Sequence, residues 1–254
     1  MKNSLILAAT AASLSIVPLQ AQEDTASVSG SLSLDFNTHF ISYGADVWSP
    51  DGWEEVLFQP SIGITFDSGK NYGFYTGIWG DINNNAATNI GKDIQEIDVW
   101  VGAYVTLDKF TFDLTFQQWY YGSEVEGIID FKISYDTFLT PTLTIHNRIE
   151  GVGGQETGTV VDLGVSYGFE AGIVSFTIPL NAAWATDDYH GGDSGIAYVK
   201  TGIMASLPMS FIPEGWGGWD LHGGLTLWHT PDDVIPGNPD ETFITGSIGV
   251  GCSF

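Results

Sequence analysis

The chain has 254 residues, with 31 Asp or Glu against 7 Lys or Arg, and a formal net charge of −24. That charge repels polyanions and anionic surfaces, which excludes a nucleic-acid partner. Its 9 Trp, 10 Tyr, 15 Phe and 32 Gly favour strands and turns over helices, and the single Cys252 excludes an internal disulfide.

In chain order the first element is a predicted secretory signal peptide over residues 1–21. Lys2 supplies the positive region, Leu5 to Val17 the apolar region, Pro18 the break and Ala21 the cleavage residue. Residues 22–254 fit one β domain. No later stretch reaches the roughly 18 uncharged apolar residues that a transmembrane helix needs. Twelve alternating segments follow: Ser27–Ile41, Glu55–Phe66, Asn71–Asp81, Ile94–Leu107, Phe110–Tyr121, Gly127–Tyr135, Thr142–Glu150, Gly158–Phe169, Ile173–Trp184, Ile196–Leu207, Trp219–His229 and Thr242–Phe254. Most are long enough to cross a bilayer while tilted, and an even number closes an antiparallel barrel.

The links alternate in length. Asp67–Lys70, Asp108–Lys109, Asp136–Pro141 and Glu170–Gly172 are tight turns, expected to face the periplasm. Tyr43–Trp53, Ile82–Asp93, Gly122–Glu126, Gly151–Thr157, Ala185–Ser194 and Thr230–Glu241 are longer, polar and expected outside. Pro208–Gly218 is the exception, a long link where a short turn is expected.

Within each segment the faces separate. In the first, Val28, Leu32, Leu34, Phe36 and Phe40 oppose Ser29, Ser31, Ser33, Asp35, Asn37 and His39. In the last, Ile248, Val250, Cys252 and Phe254 oppose Ser247, Gly249, Gly251 and Ser253, and Cys252 reads as a packing residue. A soluble sandwich buries the apolar face, whereas a membrane barrel turns it to lipid. Phe66, Tyr72, Phe110, Tyr135, Tyr167 and Phe254 near the short turns, with Phe40, Tyr120 and Trp184 near the long loops, match two interfacial belts and favour the barrel. The expectation is therefore a transmembrane antiparallel β-barrel of about twelve strands in the outer membrane of a double-membraned bacterium. Its partners would be outer-membrane lipid, small solutes and, through the C-terminal strand, the barrel assembly machinery.

A midplane Lys or Arg facing lipid costs about 2–4 kcal/mol. All three strand-borne cations, Lys132, Arg148 and Lys200, take the polar parity. They share it with Glu96, Asp98, Asp113, Asp130, Glu150, Asp162 and Asp220, and these ten residues are the lumen or constriction candidates. Asp35, Glu55 and Asp81 face the same way. Lys132 and Arg148 are expected near Asp130, Glu150 and Asp162. Two readings follow: a charged constriction that passes small solutes with a mild cation preference, or an ion-pair network that plugs a narrow barrel. Tyr75, Trp79, Trp100, Tyr104, Trp119, Tyr121, Tyr198 and Trp228 also point inward, as space fillers in preference to a stacking path for solutes.

Catalytic signatures are missing. There is no HExxH, CxxC or GxSxG, and the rim residue His229 has no Ser partner of suitable parity, so neither an enzyme nor a cofactor is expected. The acidic stretches Asp187–His190 with Asp193, and Asp232–Asp233 with Asp240–Glu241, match no calcium-loop spacing. They read as solvated loops, with binding of a surface partner as the alternative role.

The segment Tyr72-Gly-Phe-Tyr-Thr-Gly-Ile-Trp-Gly-Asp81, followed by Glu96-Ile-Asp-Val-Trp-Val-Gly-Ala-Tyr104, resembles a TorF-like family of conserved bacterial outer-membrane proteins of the porin type, whose function is unknown. Phe40-Ile-Ser-Tyr-Gly44 is similar to the family's opening Tyr-x-x-Arg-Gly-Ile-Ser without its Arg. The resemblance covers roughly the first third of the mature chain. It implies a barrel and a transport role, with Glu96 and Asp98 as motif positions facing the lumen, and it carries over no catalytic residue.

Overall fold

A computed structural model describes residues 25–48, 56–84, 90–153, 155–187 and 189–254. The expected signal peptide, Glu55 and parts of the first two long loops lie outside them. Twelve strands close into one antiparallel barrel. In chain order they are β1 (Ser27–Asn37), β4 (Leu57–Asp67), β5 (Tyr72–Ile82), β6 (Ile94–Leu107), β7 (Phe110–Tyr120), β8 (Val125–Tyr135), β9 (Thr142–Glu150), β10 (Gly158–Ala171), β11 (Val174–Ala185), β12 (Gly195–Pro208), β13 (Gly218–His229) and β14 (Thr242–Ser253). Each pairs with its neighbour, and β14 pairs back onto β1 through Leu32↔Cys252 and Leu34↔Val250. Closure leaves no edge of the barrel sheet unpaired among the described residues. The short strands β2 (Phe40–Ser42) and β3 (Ala45–Trp48) form a separate hairpin.

The barrel is apolar outside and polar within. Val28 and Leu163 are 66% and 59% exposed on the outer face, while Asp35 and Asp81 are 6% and 0% exposed on the inner one. The girdle residues Phe66, Tyr72, Phe110, Tyr167 and Phe254 are exposed at the short-turn end, and Trp184 at the other. The inward aromatics are accommodated by glycine. Tyr75 lies opposite Gly102, Trp100 opposite Gly77 and Tyr104 opposite Gly73. A Cβ at any of these glycines would fall on the facing ring. The Gly-x-Tyr and Gly-x-Trp alternation of β5 and β6 thus packs three large rings into the lumen.

Several boundaries differ from the sequence reading, and two of the differences alter the lumen. The first segment leaves the sheet at Asn37, four residues early. Thr38 closes the strand by accepting a bond from Gly246 N through its hydroxyl (2.8 Å) and donating its own N–H to Gly246 O (2.9 Å). Beyond this break the parity no longer applies. Phe40, expected at the outer rim, is 4% exposed and packs 5.1 Å from the Trp79 ring inside the barrel. At the other boundary, β8 starts at Val125, so Glu126 is an inward strand residue and not part of a loop. The exceptional link 209–217 carries one 3-10 turn, Glu214–Trp216, and turns against the rim, where Gly217 meets Ser253 and Cys252.

Candidate functional site in the lumen

The β2–β3 hairpin reaches into the mouth of the barrel from the long-loop end. Its tip, Tyr43-Gly44, has φ values of +47° and +96°, the geometry of a tight primed turn. The tip is held on both sides. The Tyr43 ring stacks on His146 of β9 with centroids 3.5 Å apart and on Trp119 of β7 at 6.3 Å. Its hydroxyl donates to Asp130 Oδ2 of β8 at 3.2 Å. Across the mouth, Gly44 lies against Tyr198 and Ile235. Asn238, in the loop after β13, donates to Gly44 O (2.9 Å) and accepts from Asp46 N (2.8 Å).

A second long loop docks on the same assembly. Arg148 of β9 pairs with Glu126 of β8, donates to Tyr189 O at 2.8 Å and lies 4.0 Å over the Tyr189 ring. His190 hydrogen-bonds the Tyr43 backbone. Burial, together with Arg148 and His146 nearby, pushes the His190 imidazole down to about 3. Burial and Asp130 hold the Tyr43 phenol well above its usual value. The hairpin, the 186–194 loop and the 230–241 loop therefore meet over the lumen.

Beneath the hairpin lies a cavity of about 230 Å³, lined by residues from β1 and from β4 round to β13. One water needs roughly 10–15 Å³ on that measure, so the space admits a compact solute. Its carboxylates are engaged by neighbours within the wall. Asp113 Oδ1 accepts from Tyr75 (2.6 Å) and Thr115 (3.0 Å). Asp130 is held by Gln117 (2.7 Å) and His146 (2.6 Å) besides Tyr43. Asp162 accepts from Asn181 (2.7 Å) and Tyr198 (2.6 Å).

The ten sequence candidates thus fall into groups. Asp113, Asp130, Lys132, Asp162 and Lys200 line the cavity together. Glu96 and Asp98 sit nearer the long-loop end, both buried; the Tyr121 hydroxyl donates to Glu96 (3.1 Å) and lies 3.4 Å from Glu126. Asp220 lies toward the short-turn end, bonded to His222 Nδ1 at 2.9 Å and to Ser206 at 3.1 Å. Arg148 joins the upper group through Glu126. Glu150 does not join any of them: it is exposed at the end of β9, opposite Gly127, and Glu126 takes the place expected for it beside Arg148. A register shift at Gly127/Ile128 puts Glu126 within reach.

Sequence reasoning missed Tyr43, Glu126, Gln117, Tyr189, His190 and His222. Tyr43-Gly44 between two short apolar runs is a hairpin-turn signal, and His222 shares the inward parity of Asp220 on one strand. The contacts of Tyr189 and His190 across the mouth have no sequence signature.

No protein-family model and no curated protein matches the sequence. Among solved structures, a NanC porin in a rhombohedral crystal form aligns over 87% of this chain and 98% of its own, at 11% identity and a TM-score of 0.50. The translocator domain of the autotransporter NalP from Neisseria meningitidis aligns over 89% and 88%, at 11% identity and 0.40. Salmonella typhi OmpF in complex with daunomycin aligns over 93% and 99%, at 8% identity and 0.38. The likeness to the NanC porin is one of architecture: this chain has the closed antiparallel barrel of a porin.

Proposed function

We propose that the chain is an outer-membrane channel for passive diffusion of small solutes, narrowed by its first long loop. The observation that carries this reading is the polar cavity running under the Tyr43 hairpin inside a barrel whose outer face is apolar. A band of exposed Val, Leu, Ile and Phe around a closed barrel suits lipid and not water. Aromatic residues at both rims support the same placement. The lumen holds more carboxylates than cations, with Asp35, Asp113, Asp130 and Asp162 against Lys132 and Lys200 around the cavity. This excess favours a mild cation preference for small ions. The TorF-like resemblance is consistent with this role and is kept as part of the proposal.

Reconstitution of the protein in a planar bilayer under a salt gradient tests this reading. Discrete conductance steps with a cation-directed reversal potential are expected. A folded, heat-modifiable barrel that stays silent would overturn it. That outcome would favour the second reading, a non-conducting barrel acting through its acidic outer loops. The docking of the 186–194 and 230–241 loops over the hairpin is the observation that favours this alternative.

A further inference from the structure

Lys132 and Lys200 make no ion pair with the charged groups around the cavity, although Lys132 lies directly opposite Asp113 on β7. In a chain with 31 acidic residues, neither ammonium has a hydrogen bond or an ion pair with any described residue. The carboxylates nearest Lys132 are Asp113, Asp162 and Asp130, and the one nearest Lys200 is Asp162. Asp162 lies on β10 between the two lysine-bearing strands, yet one of its oxygens is taken by Asn181 and the other by Tyr198. Asp130 is similarly occupied by Gln117, His146 and Tyr43. A wall built only to neutralise two ammonium groups would turn these carboxylates onto them, because an ion pair is the ordinary partner of an enclosed charge.

The wall between the lysines is small and polar. Lys132 faces Thr144, which faces Asp162; Asn181 faces Lys200. At Gly164, between Thr142 and Asn181, a Cβ would crowd both side chains. On the other side of Lys200, its Nζ lies 4.7 Å from the Trp228 ring and 5.8 Å from Tyr198. What the cavity offers an incoming solute is therefore donor-rich: two ammonium groups, one of them beside the buried rings of Trp228 and Tyr198. We propose that Lys132 and Lys200 form a subsite for the oxyanion of a small solute, a carboxylate or a phosphate. The inference rests on the channel reading and adds to it: the carboxylate excess acts on small free ions, while the lysine pair takes the anionic head group of a larger solute. The surplus of carboxylates around the site keeps binding weak, which passage requires, since a solute must leave as readily as it enters.

The test uses the refolded full barrel with succinate, inorganic phosphate and, as an uncharged control, glucose. Block or noise of the single-channel current is read in the bilayer, and tryptophan fluorescence is titrated on the same protein in detergent. Succinate or phosphate should block and titrate while glucose does not, and the stronger of the two identifies the head group. Lys132→Met and Lys200→Met should each weaken the response on the order of tenfold, the loss of one charge-assisted bond. Lys200→Arg should retain it, and heat modifiability confirms that each variant is folded. A conducting pore that ignores both anions, or a double variant that responds like the parent, overturns the subsite and leaves the channel reading standing. Fluorescence titration in a silent barrel supports the subsite and overturns passage.

Discussion

The hydroxyl of Tyr43, at the tip of a loop hairpin, donates to Asp130 on β8, 87 residues further along the chain. That bond and the stack of Tyr43 on His146 set how far the hairpin enters the lumen. Replacing the side chain while keeping the turn should separate plug from scaffold. Tyr43 adopts φ +47°, a conformation that glycine takes without penalty. Tyr43→Gly should therefore leave the turn intact, and relief of the backbone should offset part of the lost packing, on the order of 1 kcal/mol. The expected outcome is an unchanged barrel with a larger single-channel conductance. Conductance equal to the parent's would place the constriction elsewhere.

Arg148 and Glu126 form a buried pair, 7% and 1% exposed. Removing one member leaves the other charged and enclosed, which costs about 3–5 kcal/mol. Glu126→Ala and Arg148→Ala should each lower the denaturant midpoint of the refolded barrel. The double change Glu126→Met with Arg148→Met should recover most of that loss, since apolar side chains of similar size replace the pair without a stranded charge. Urea unfolding followed by tryptophan emission gives the three values. A double variant as weak as the singles would show that Arg148 acts chiefly through Tyr189.

The barrel was legible in the sequence because a period of two survives wherever strands are regular. Val28, Leu163 and Ile248 fall outside, and Asp98, Asp113 and Lys132 inside, as alternation requires. Reading failed where the chain leaves the ladder. Phe40 lies three residues past the last barrel residue of β1, so counting parity through it assigned the wrong face. Glu126 lies beside a register shift, where counting across the irregularity is unsafe. The roles of Tyr43 and Tyr189 depend on contacts between residues far apart in sequence, and local pattern contains no trace of them.

At the seam where the barrel closes, His222 of β13 reaches Asp35 of β1 across the intervening strand β14. Its Nε2 is 2.6 Å from Asp35 Oδ1 and its Nδ1 2.9 Å from Asp220 Oδ2. Both nitrogens must carry hydrogen to donate to two carboxylates, so the ring acts here as an imidazolium. Gly249 lies opposite both partners, and a Cβ there would fall on Asp35 Oδ1 and crowd His222 Nε2. Gly249→Val should force the clasp apart, and His222→Ala should leave Asp35 without its cation. Each should lower the temperature at which the barrel unfolds in detergent on a heat-modifiability gel. The cost is on the order of 3 kcal/mol for a stranded partner of a buried pair. A valine variant as heat-resistant as the parent would mean that the clasp does not secure the seam.

The docked 186–194 loop should be sensitive to acid through His190. The ring is hydrogen-bonded to the Tyr43 backbone, faces Arg148 and His146, and buries Nε2 without a hydrogen-bond partner among the described residues. Protonation there is opposed by burial first and by the two neighbouring bases next, so its value falls from 6.5 free to about 3 docked. A histidine held low in the docked state is neutral when docked and takes up a proton more readily when released. Docking is therefore at full strength above pH 6.5 and weakens as pH falls from 6.5 toward 3. Two units below 6.5 the shift in the docking equilibrium reaches up to roughly 100-fold. Proteolysis within residues 186–194 should be slow at pH 7.5 and accelerate near pH 4.5, with conductance rising in parallel. His190→Gln should flatten most of this dependence. His39, also held low by burial and 3.8 Å from Asp46, accounts for a smaller remainder. An acid response undiminished in His190→Gln would assign the release to another group.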